Sequence, residues 1–430
     1  MTSAPPDPPE RYSKGYLRYA LGLLMVVYTF NFLDRQIVVI LQESIKKEMG
    51  LSDKQLGLLS GFTFAIFYAT LGIPIARYAD RGVRRNVIAW SIGLWSLMTA
   101  VAGWARSFPQ LLLARIGVGV GEAGGSPPAH AIISDYFVPH ERGKALSIYS
   151  MGVYLGVLLG FVAGGWLNQF FGWRTALMVV GMPGLIVALL VRFTIKEPRR
   201  GESEAGDHSD TPPPFGESVR MLLSLPSFRW LAVAAGFNAF VTYGTGNFAP
   251  SFLARIYHLT PGQIGTALGL VAGIGGMVGA FFGGYLGDRL GGNDKRWYLW
   301  VPAIAMAIGA PLRVIAYTVS DVRIMLVLSG ITEMLALTFI APSVAMAHAL
   351  VVPRLRSFVS SILFFILSTI GLGLGPVFTG FMSDFWATRF GPDALRWAMV
   401  TTSLAFIPGA WCFHRATRTL RQDIARKEPA

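Results

Sequence analysis

Cysteine is almost absent from this chain: one residue, Cys412, among 430. An intrachain disulfide framework and a thiolate zinc or iron–sulfur centre are thereby excluded. Charge is scarce as well. Asp, Glu, Lys and Arg make up 14% of the residues, where a soluble domain carries roughly a quarter. The acidic side is the poorer, 24 residues against 37 basic ones, for a formal net charge of +13. No Gly-rich phosphate loop leads into a Lys-Ser/Thr pair, which argues against an ATP-driven machine. No His/Cys/Glu cluster has metal-ligand spacing, and no nucleophile triad can be assembled. No cofactor, no metal and no enzyme are therefore expected. The opening MTSAPPDPPE lacks the basic start of a secretory signal peptide.

What the chain has in excess is apolar surface: 53% of its residues are hydrophobic and its mean hydropathy is +0.50. A membrane-spanning helix needs about 20 mostly apolar residues. Twelve segments qualify, near 17–41, 56–76, 87–106, 109–134, 145–171, 174–195, 230–253, 263–287, 298–318, 322–347, 357–383 and 395–414. With both termini on the cytoplasmic side, 25 of the 37 Lys and Arg fall inside, 9 outside and three (Arg35, Arg115, Arg313) within apolar segments. That bias obeys the positive-inside rule. It also accounts for the basic balance without nucleic acid, so no nucleic-acid partner is expected. The longest polar break, 196–228, holds a Pro run and mixed charge and reads as a linker between two halves. The predicted organisation is a disordered tail 1–16, a six-helix bundle 17–195, the linker 196–228, a second bundle 229–414 and a basic tail 415–430. The chain is expected to be a monomer in the bilayer. The lack of any Asn-x-Ser/Thr sequon fits a bacterial plasma membrane.

The halves share a signature. After the second span the chain reads ARYADRGVRR, with Asp80, Arg81, Arg84 and Arg85; after the eighth it reads GYLGDRLGGNDKR, with Asp288 and Arg289. The two aspartates are 208 residues apart. An acid with bases at a helix end can pair across helix ends and cap a neighbouring helix dipole, and such a cluster can latch one gate closed. Asp135 and Arg142 are candidates to join it. These motifs resemble the cytoplasmic loop motif of the major facilitator superfamily, with Ala76 where a Gly is usual and Gly284 present in the second copy. LLLARIGVGVGEAGG resembles the family's fourth-helix motif through Arg115. Gly152, Gly156, Gly160, Gly164 and Gly165 resemble the glycine-rich fifth helix of antiporters without its Gly-Pro pair; a Gly-Pro pair occurs instead at Gly375-Pro376. More narrowly, the stretch from NFLDRQIVV to ARYADR, followed by RIGVGVGEAGGSPPAHAIISDYF, looks like the spinster family. That resemblance implies an all-α membrane protein with twelve transmembrane helices in two pseudo-symmetric six-helix bundles. It also implies proton-dependent transport of lysolipid or sphingoid amphiphiles.

An ionisable group at membrane depth is costly unless it is paired or wet, and such groups mark transport pathways. Asp34 and Arg35 sit well inside the first span. Tyr28, Asn31 and Asp34 share a face by three-residue spacing. Arg115 and Glu122 lie two turns apart, about 10 Å along the axis. These residues are expected to line a cavity between the halves, with Asp34 and Glu122 as protonatable acids and Arg115 as the switching partner. The competing reading is a static buried ion pair that fixes packing. In the second half Glu333 is the cavity candidate, whereas Arg313, after Pro311, is expected to snorkel outward. Phe240, Tyr243, Asn247 and Phe339 are expected to contact an acyl chain, with aromatic packing as the alternative. The first half would then carry most of the charge chemistry and the second the apolar wall. His130 and His348 read as hydrogen-bonded structural groups rather than proton relays.

The whole points to a secondary transporter working by alternating access on protons and an amphiphilic or anionic small molecule. A porter for a small organic anion held by Arg115, a multidrug exporter, an intramembrane enzyme and a lipid sensor stand as alternatives.

Overall fold

The structure is a computed structural model that describes residues 12–199, 215–352 and 355–425. The apolar runs fold as helix, and no strand occurs among the described residues. The first half consists of α1 (Lys14–Met49), α2 (Asp53–Gly57), α3 (Thr63–Arg81), α4 (Arg84–Ala102), α5 (Phe108–Glu122), α6 (Ser126–Tyr136) and α7 (Pro139–Thr194). The second consists of α8 (Phe215–Ser224), α9 (Pro226–Ile256), α10 (Pro261–Leu268), α11 (Gly275–Gly291), α12 (Trp297–Thr318), α13 (Val322–Leu337), α14 (Ile340–Ala349), α15 (Arg356–Ile366), α16 (Gly375–Phe390), α17 (Ala394–Ser403) and α18 (Phe406–Ala425). Each of the twelve expected spans lies on helix. Two continuous apolar stretches, His140–Thr194 and Phe358–Ala425, run to 55 and 68 residues, enough for two passes each. Within α7 the reversal falls at Gly172, whose φ of 79° only glycine adopts without strain.

Local chemistry repeats at the interval seen in the sequence. Ser52 and Gln55 form a capping box at the start of α2, and Thr260 and Gln263 form another at the start of α10. Each box satisfies two orphan helix donors reciprocally, and the two lie 208 residues apart, like Asp80 and Asp288. Gly57 and Gly265 obey the same interval. A Cβ on Gly57 would stand 2.4 Å from the Pro376 carbonyl oxygen, and one on Gly265 2.2 Å from the Phe161 carbonyl oxygen. These are the two seams between the halves, α2–α3 against α16 and α10 against α7. Wide π-helical turns at Leu58–Phe62, Gly269–Ile274 and Leu367–Leu374 lie along the same seams, and such turns often mark working parts of helices.

The seams run only half the depth of the molecule. One is followed by Gly380 on Asp53, Gly57 on Pro376, Gly61 on Leu372 and Gly373 on Ala65; the other by Gly165 on Gly265, Gly269 on Leu158 and Gly276 on Tyr154. Beyond that depth, toward the end that carries both termini, Gly72 has nothing within 4 Å, and Gly279 and Gly283 turn to Met334 and Thr338 of their own half. The apolar cores divide in the same way. One core joins Leu41, Leu59 and Phe161 to Phe248, Phe252 and Ile264 from the other half. A second core, around Phe228, Phe339 and Phe413, is built wholly from the second half. The end remote from the termini is thus sealed by both halves together.

Part of each expected tail lies among the described residues and packs on the bundles. Tyr12 stacks on Tyr16 with ring centroids 5.5 Å apart and meets Tyr136 edge-on at 5.1 Å, so residues 12–16 belong to the first half; residues 1–11 lie outside the described set. α18 continues to Ala425 because Ala416, Leu420 and Asp423 form a buried stripe at helical spacing; residues 426–430 lie outside. Of the expected linker, residues 200–214 lie outside. α8 occupies its later part, and Leu222 is buried in the core of the second half.

Candidate functional site

At mid-depth in the first half four ionisable side chains converge from two elements. α1 presents Asp34 and Arg35; α5 presents Arg115 and Glu122. Asp34 is fully buried and Glu122 is 1% exposed. The expected partnership of Arg115 with an acid is not the one formed. Arg35 Nε donates to Glu122 Oε2 at 2.7 Å, and the Arg35 guanidinium lies 4.8, 4.9 and 5.0 Å from the ring centroids of Phe32, Phe64 and Tyr68. Three aromatic faces around one guanidinium offer a cation–π cage. Arg115 reaches the backbone carbonyl of Asp34 at 3.5 Å, and its guanidinium stands 5.6 Å from the Phe64 ring. Its Nε has no partner, nor do both carboxyl oxygens of Asp34 or the second oxygen of Glu122. Asp34 lies within electrostatic reach of Glu122 and Arg115, with Thr99 beside it. Seven-residue spacing had placed Arg115 and Glu122 on one face of one helix. It could not show that Arg35, from the neighbouring helix, would reach Glu122 first.

Arg313 overturns its expectation. It is 3% exposed and points inward, donating to Glu333 Oε2 at 3.2 Å, Thr245 Oγ1 at 2.6 Å and the Tyr317 hydroxyl at 3.4 Å. The Phe406 ring centroid lies 5.2 Å from its guanidinium. An interior acid outcompetes the membrane surface for the guanidinium. The second half therefore carries its own buried ion pair and is not simply an apolar wall. Glu122 and Glu333 are 211 residues apart, near the repeat interval. Tyr243 on α9 lies within electrostatic reach of both Arg35 and Glu333.

The weaker candidates separate. Tyr28 stacks on Tyr149 at 4.4 Å, and Asn31 is buried beside Glu122. Phe240 packs on Phe378 at 5.3 Å. Asn247 lies in the sealed seam: its Nδ2 donates to Ser60 Oγ at 3.3 Å, and its carbonyl accepts from Gln42 Nε2 at 2.5 Å. Phe339 is buried in the core of the second half. His130 bonds the Ser126 carbonyl at 2.8 Å, and His348 bonds Ser360 at 2.6 Å.

At the termini end the charged motif works within each half. Arg84 pairs with Asp135 at 2.5 Å and with Glu197 at 2.8 Å, and Arg85 donates to the Ile195 carbonyl at 2.9 Å. Two arginines thus fasten the C-terminal end of α7, where cations complement the helix dipole. Arg142 Nε donates to the Phe137 carbonyl at 3.2 Å. Asp288 accepts from the Tyr298 hydroxyl at 2.8 Å, and Arg289 donates to the Tyr285 hydroxyl at 2.9 Å. Arg81 closes α3; the side chain of Asp80 lies outside the described set.

A group that sequence reasoning missed closes the opposite end. Asp53, 3% exposed, accepts from Arg255 at 2.7 and 2.8 Å, from Lys46 at 2.5 Å and from Ser383 at 2.6 Å. Arg255 also donates to Glu43 at 2.9 Å. The Asp384 carboxylate takes the backbone N–H groups of Asp53 and Lys54 at 3.0 and 2.9 Å. The only sequence signal was an acid inside the Ser52–Gln55 capping box, among basic residues counted merely as outside charge. No group of His, Cys, Asp and Glu among the described residues is placed to hold a metal.

The sequence profile described as Major Facilitator Superfamily matches residues 24–376 and, overlapping them, 231–429. The chain belongs to the major facilitator superfamily. It is 32% identical over 426 residues, 97% of this chain and 96% of the other, to an MFS-type efflux pump of Mycolicibacterium smegmatis (strain ATCC 700084 / mc(2)155). It is also 32% identical to Protein spinster homolog 1 of Homo sapiens over 250 residues, 56% of this chain and 47% of the human one. The chain thus spans about half the length of that relative. Among solved structures it resembles a bacterial homologue of the human lysosomal transporter spinster, inward-facing and unoccupied, with a TM-score of 0.88 at 32% identity. That match covers 97% of this chain and 100% of the other. The occupied inward-facing form of that homologue gives 0.85 with the same coverage. The protein is a multi-pass membrane transporter of the spinster type, with the all-α major facilitator fold.

Proposed function

We propose that this transporter is proton-coupled and moves an amphiphilic, lipid-like substrate of lysolipid or sphingoid type by alternating access. The observation that supports this reading most is the pair of buried carboxyl groups in unlike settings, Glu122 tied to Arg35 and Asp34 without a hydrogen-bond partner. A proton arriving on Glu122 cancels the attraction that holds Arg35. The freed guanidinium, still caged by Phe32, Phe64 and Tyr68, then offers a cationic seat for a substrate head group. Arg115, bonded only to the Asp34 backbone carbonyl, is free to take the Asp34 carboxylate in another state, and Glu333 repeats the Glu122 arrangement with Arg313. Tyr28, Asn31, Phe240 and Tyr243 border the path. The resemblance to the spinster family supports the choice of substrate class. The protein sits in the plasma membrane of a bacterium with both termini cytoplasmic, as the 25-to-9 distribution of basic residues supports. Asp80, Arg81, Arg84, Arg85, Asp288 and Arg289 act there as the cytoplasmic gate.

A second reading, a multidrug or small organic anion porter of the same fold, is favoured by the likeness to the Mycolicibacterium efflux pump, matched over nearly the whole chain. Flux of a labelled lysolipid or sphingoid phosphate through the purified protein in liposomes decides between them. The first reading predicts flux that rises with an imposed pH gradient. Folded, reconstituted protein that moves no lipid but carries drugs or carboxylates would establish the second.

A further inference from the structure

The geometry points to Thr99 as the positioning residue of Asp34: its hydroxyl, held off its own helix, is the donor that closes on the Asp34 carboxylate when the proton leaves. The inference rests on the reading of Asp34 as a proton site and adds a partner to it.

Threonines in these helices habitually bond the carbonyl four residues back. Thr29, Thr70, Thr245, Thr379 and Thr402 all do so, at 2.7 to 3.1 Å. Such a bond satisfies a buried hydroxyl within its own helix. Thr99, near the end of α4, is 1% exposed and its hydroxyl has no partner among the described residues. A buried hydroxyl left unpaired is costly, so its aim calls for a reason. The reason lies next to it. Thr99 stands beside the Asp34 carboxyl, which is fully buried and whose two oxygens have no partner either.

The packing of three neighbours holds the two side chains level. α5 lies flat on α4: a Cβ on Gly121 would stand 2.7 Å from the Trp95 backbone nitrogen, and one on Gly117 2.6 Å from Met98 Cγ. α7 closes the other side, where a Cβ on Gly181 would stand 2.6 Å from the Ser96 carbonyl oxygen. A Cβ on Gly184 would meet both the Ser96 hydroxyl and, at 3.8 Å, the Phe30 ring of α1. Ser96 and Phe30 are therefore at one depth, and a turn further along each helix come Thr99 and Asp34. The Ser96 hydroxyl is unpaired as well, but it faces α7.

The charges that act on Asp34 are Glu122 and Arg115, both of α5. Arg35, next along α1, is taken by Glu122. α4 beyond Arg85 and the stretch 145–171 of α7 carry no charged residue. α6 brings His130, bonded to the Ser126 carbonyl, and α9 brings Tyr243, near Arg35. A hydroxyl can accept from a carboxylic acid and donate to a carboxylate, so Thr99 serves both forms of Asp34. The bond to the charged form is roughly twice as strong, and it therefore favours release of the proton.

Infrared difference spectroscopy of the purified protein in lipid tests this without substrate or gradient. The carbonyl stretch of protonated Asp34, identified by its loss in Asp34→Asn, is followed against pH. Thr99→Val keeps the shape and removes the hydroxyl, so the midpoint should rise by about one pH unit, tenfold in proton affinity. Thr99→Ser should restore the parent midpoint. Ser96→Ala, which removes an equally buried hydroxyl from the same helix, should leave it in place. If Thr99→Val does not fold, Thr99→Ala must give the same rise. A midpoint unchanged in the folded Thr99 variants, or moved as far by Ser96→Ala, overturns the inference alone. A parent protein in which no Asp34 band titrates overturns the proton reading with it.

Discussion

Removing Arg313 leaves Glu333, whose side chain is 20% exposed, without its cation. Breaking a buried pair from one side costs about 3–5 kcal/mol, whereas replacing both partners by apolar groups of similar size is often neutral. Arg313→Met should therefore lower the melting temperature in detergent by roughly 5 °C or more. Arg313→Met combined with Glu333→Met should recover most of that loss. Thermal unfolding followed by tryptophan fluorescence reads both, and a double variant less stable than the single one would show that the pair is not the reason for the burial. The residue also marks how far the sequence could be read. A charge inside an apolar run is visible at once, which is why Asp34, Arg115, Glu122 and Glu333 could be singled out. The azimuth of one helix against the next is not visible. Hence the sequence alone does not pair Arg35 with Glu122, does not turn Arg313 inward to Glu333, and does not put Asn247 in a closed seam.

Two elements carry predictions of their own. The α9 helix begins at Pro226, and the Asp423 carboxylate of α18 accepts from the Ser227 N–H at 2.9 Å and the Ser227 hydroxyl at 2.6 Å. It supplies from another helix the cap that α9 lacks, since Leu225 at the cap position makes no side-chain bond. Losing such a cap costs about 1 kcal/mol, so Asp423→Ala should lower the melting temperature by roughly 2–4 °C and leave transport sidedness alone. A variant as stable as the parent would show that the cap is not needed. At the α2–α16 seam, Gly57→Ala places a methyl 2.4 Å from the Pro376 carbonyl, and overpacking of this kind costs about 1–3 kcal/mol. The distance between spin labels on Arg106→Cys and Arg323→Cys, exposed residues near the far end of either half, should lengthen, whereas a Gly22→Ala control, with nothing within 4 Å, should not change it. The spans themselves were legible because about 20 apolar residues in a row have few other fates. The end of α18 was not, because its buried stripe of Ala416, Leu420 and Asp423 is diluted by arginines and hydropathy alone reads it as a basic tail.

Over the whole molecule, the 208-residue repeat ties the sequence to the architecture. It relates Asp80 to Asp288, the Ser52 cap to the Thr260 cap and Gly57 to Gly265, and it generates two seams of like geometry. The fold was therefore readable, and the resemblance carried in the first-half motifs agrees with the match to an inward-facing spinster homologue. The sealed far end was not readable, because Asp53, Arg255 and Asp384 stand far apart in sequence and meet only when both halves are folded. On this account Asp34 and Glu122 couple protons to transport, and alternating access itself needs only the seams. Counterflow separates these two functions. In liposomes loaded with unlabelled lysolipid, the Glu122→Gln protein should still exchange labelled lysolipid across the membrane at equal pH, but its uphill accumulation under an imposed pH gradient should fall by roughly tenfold or more, equivalent to about 1.4 kcal/mol of lost driving force. Accumulation that persists at the level of the parent protein, with exchange intact, would contradict the account.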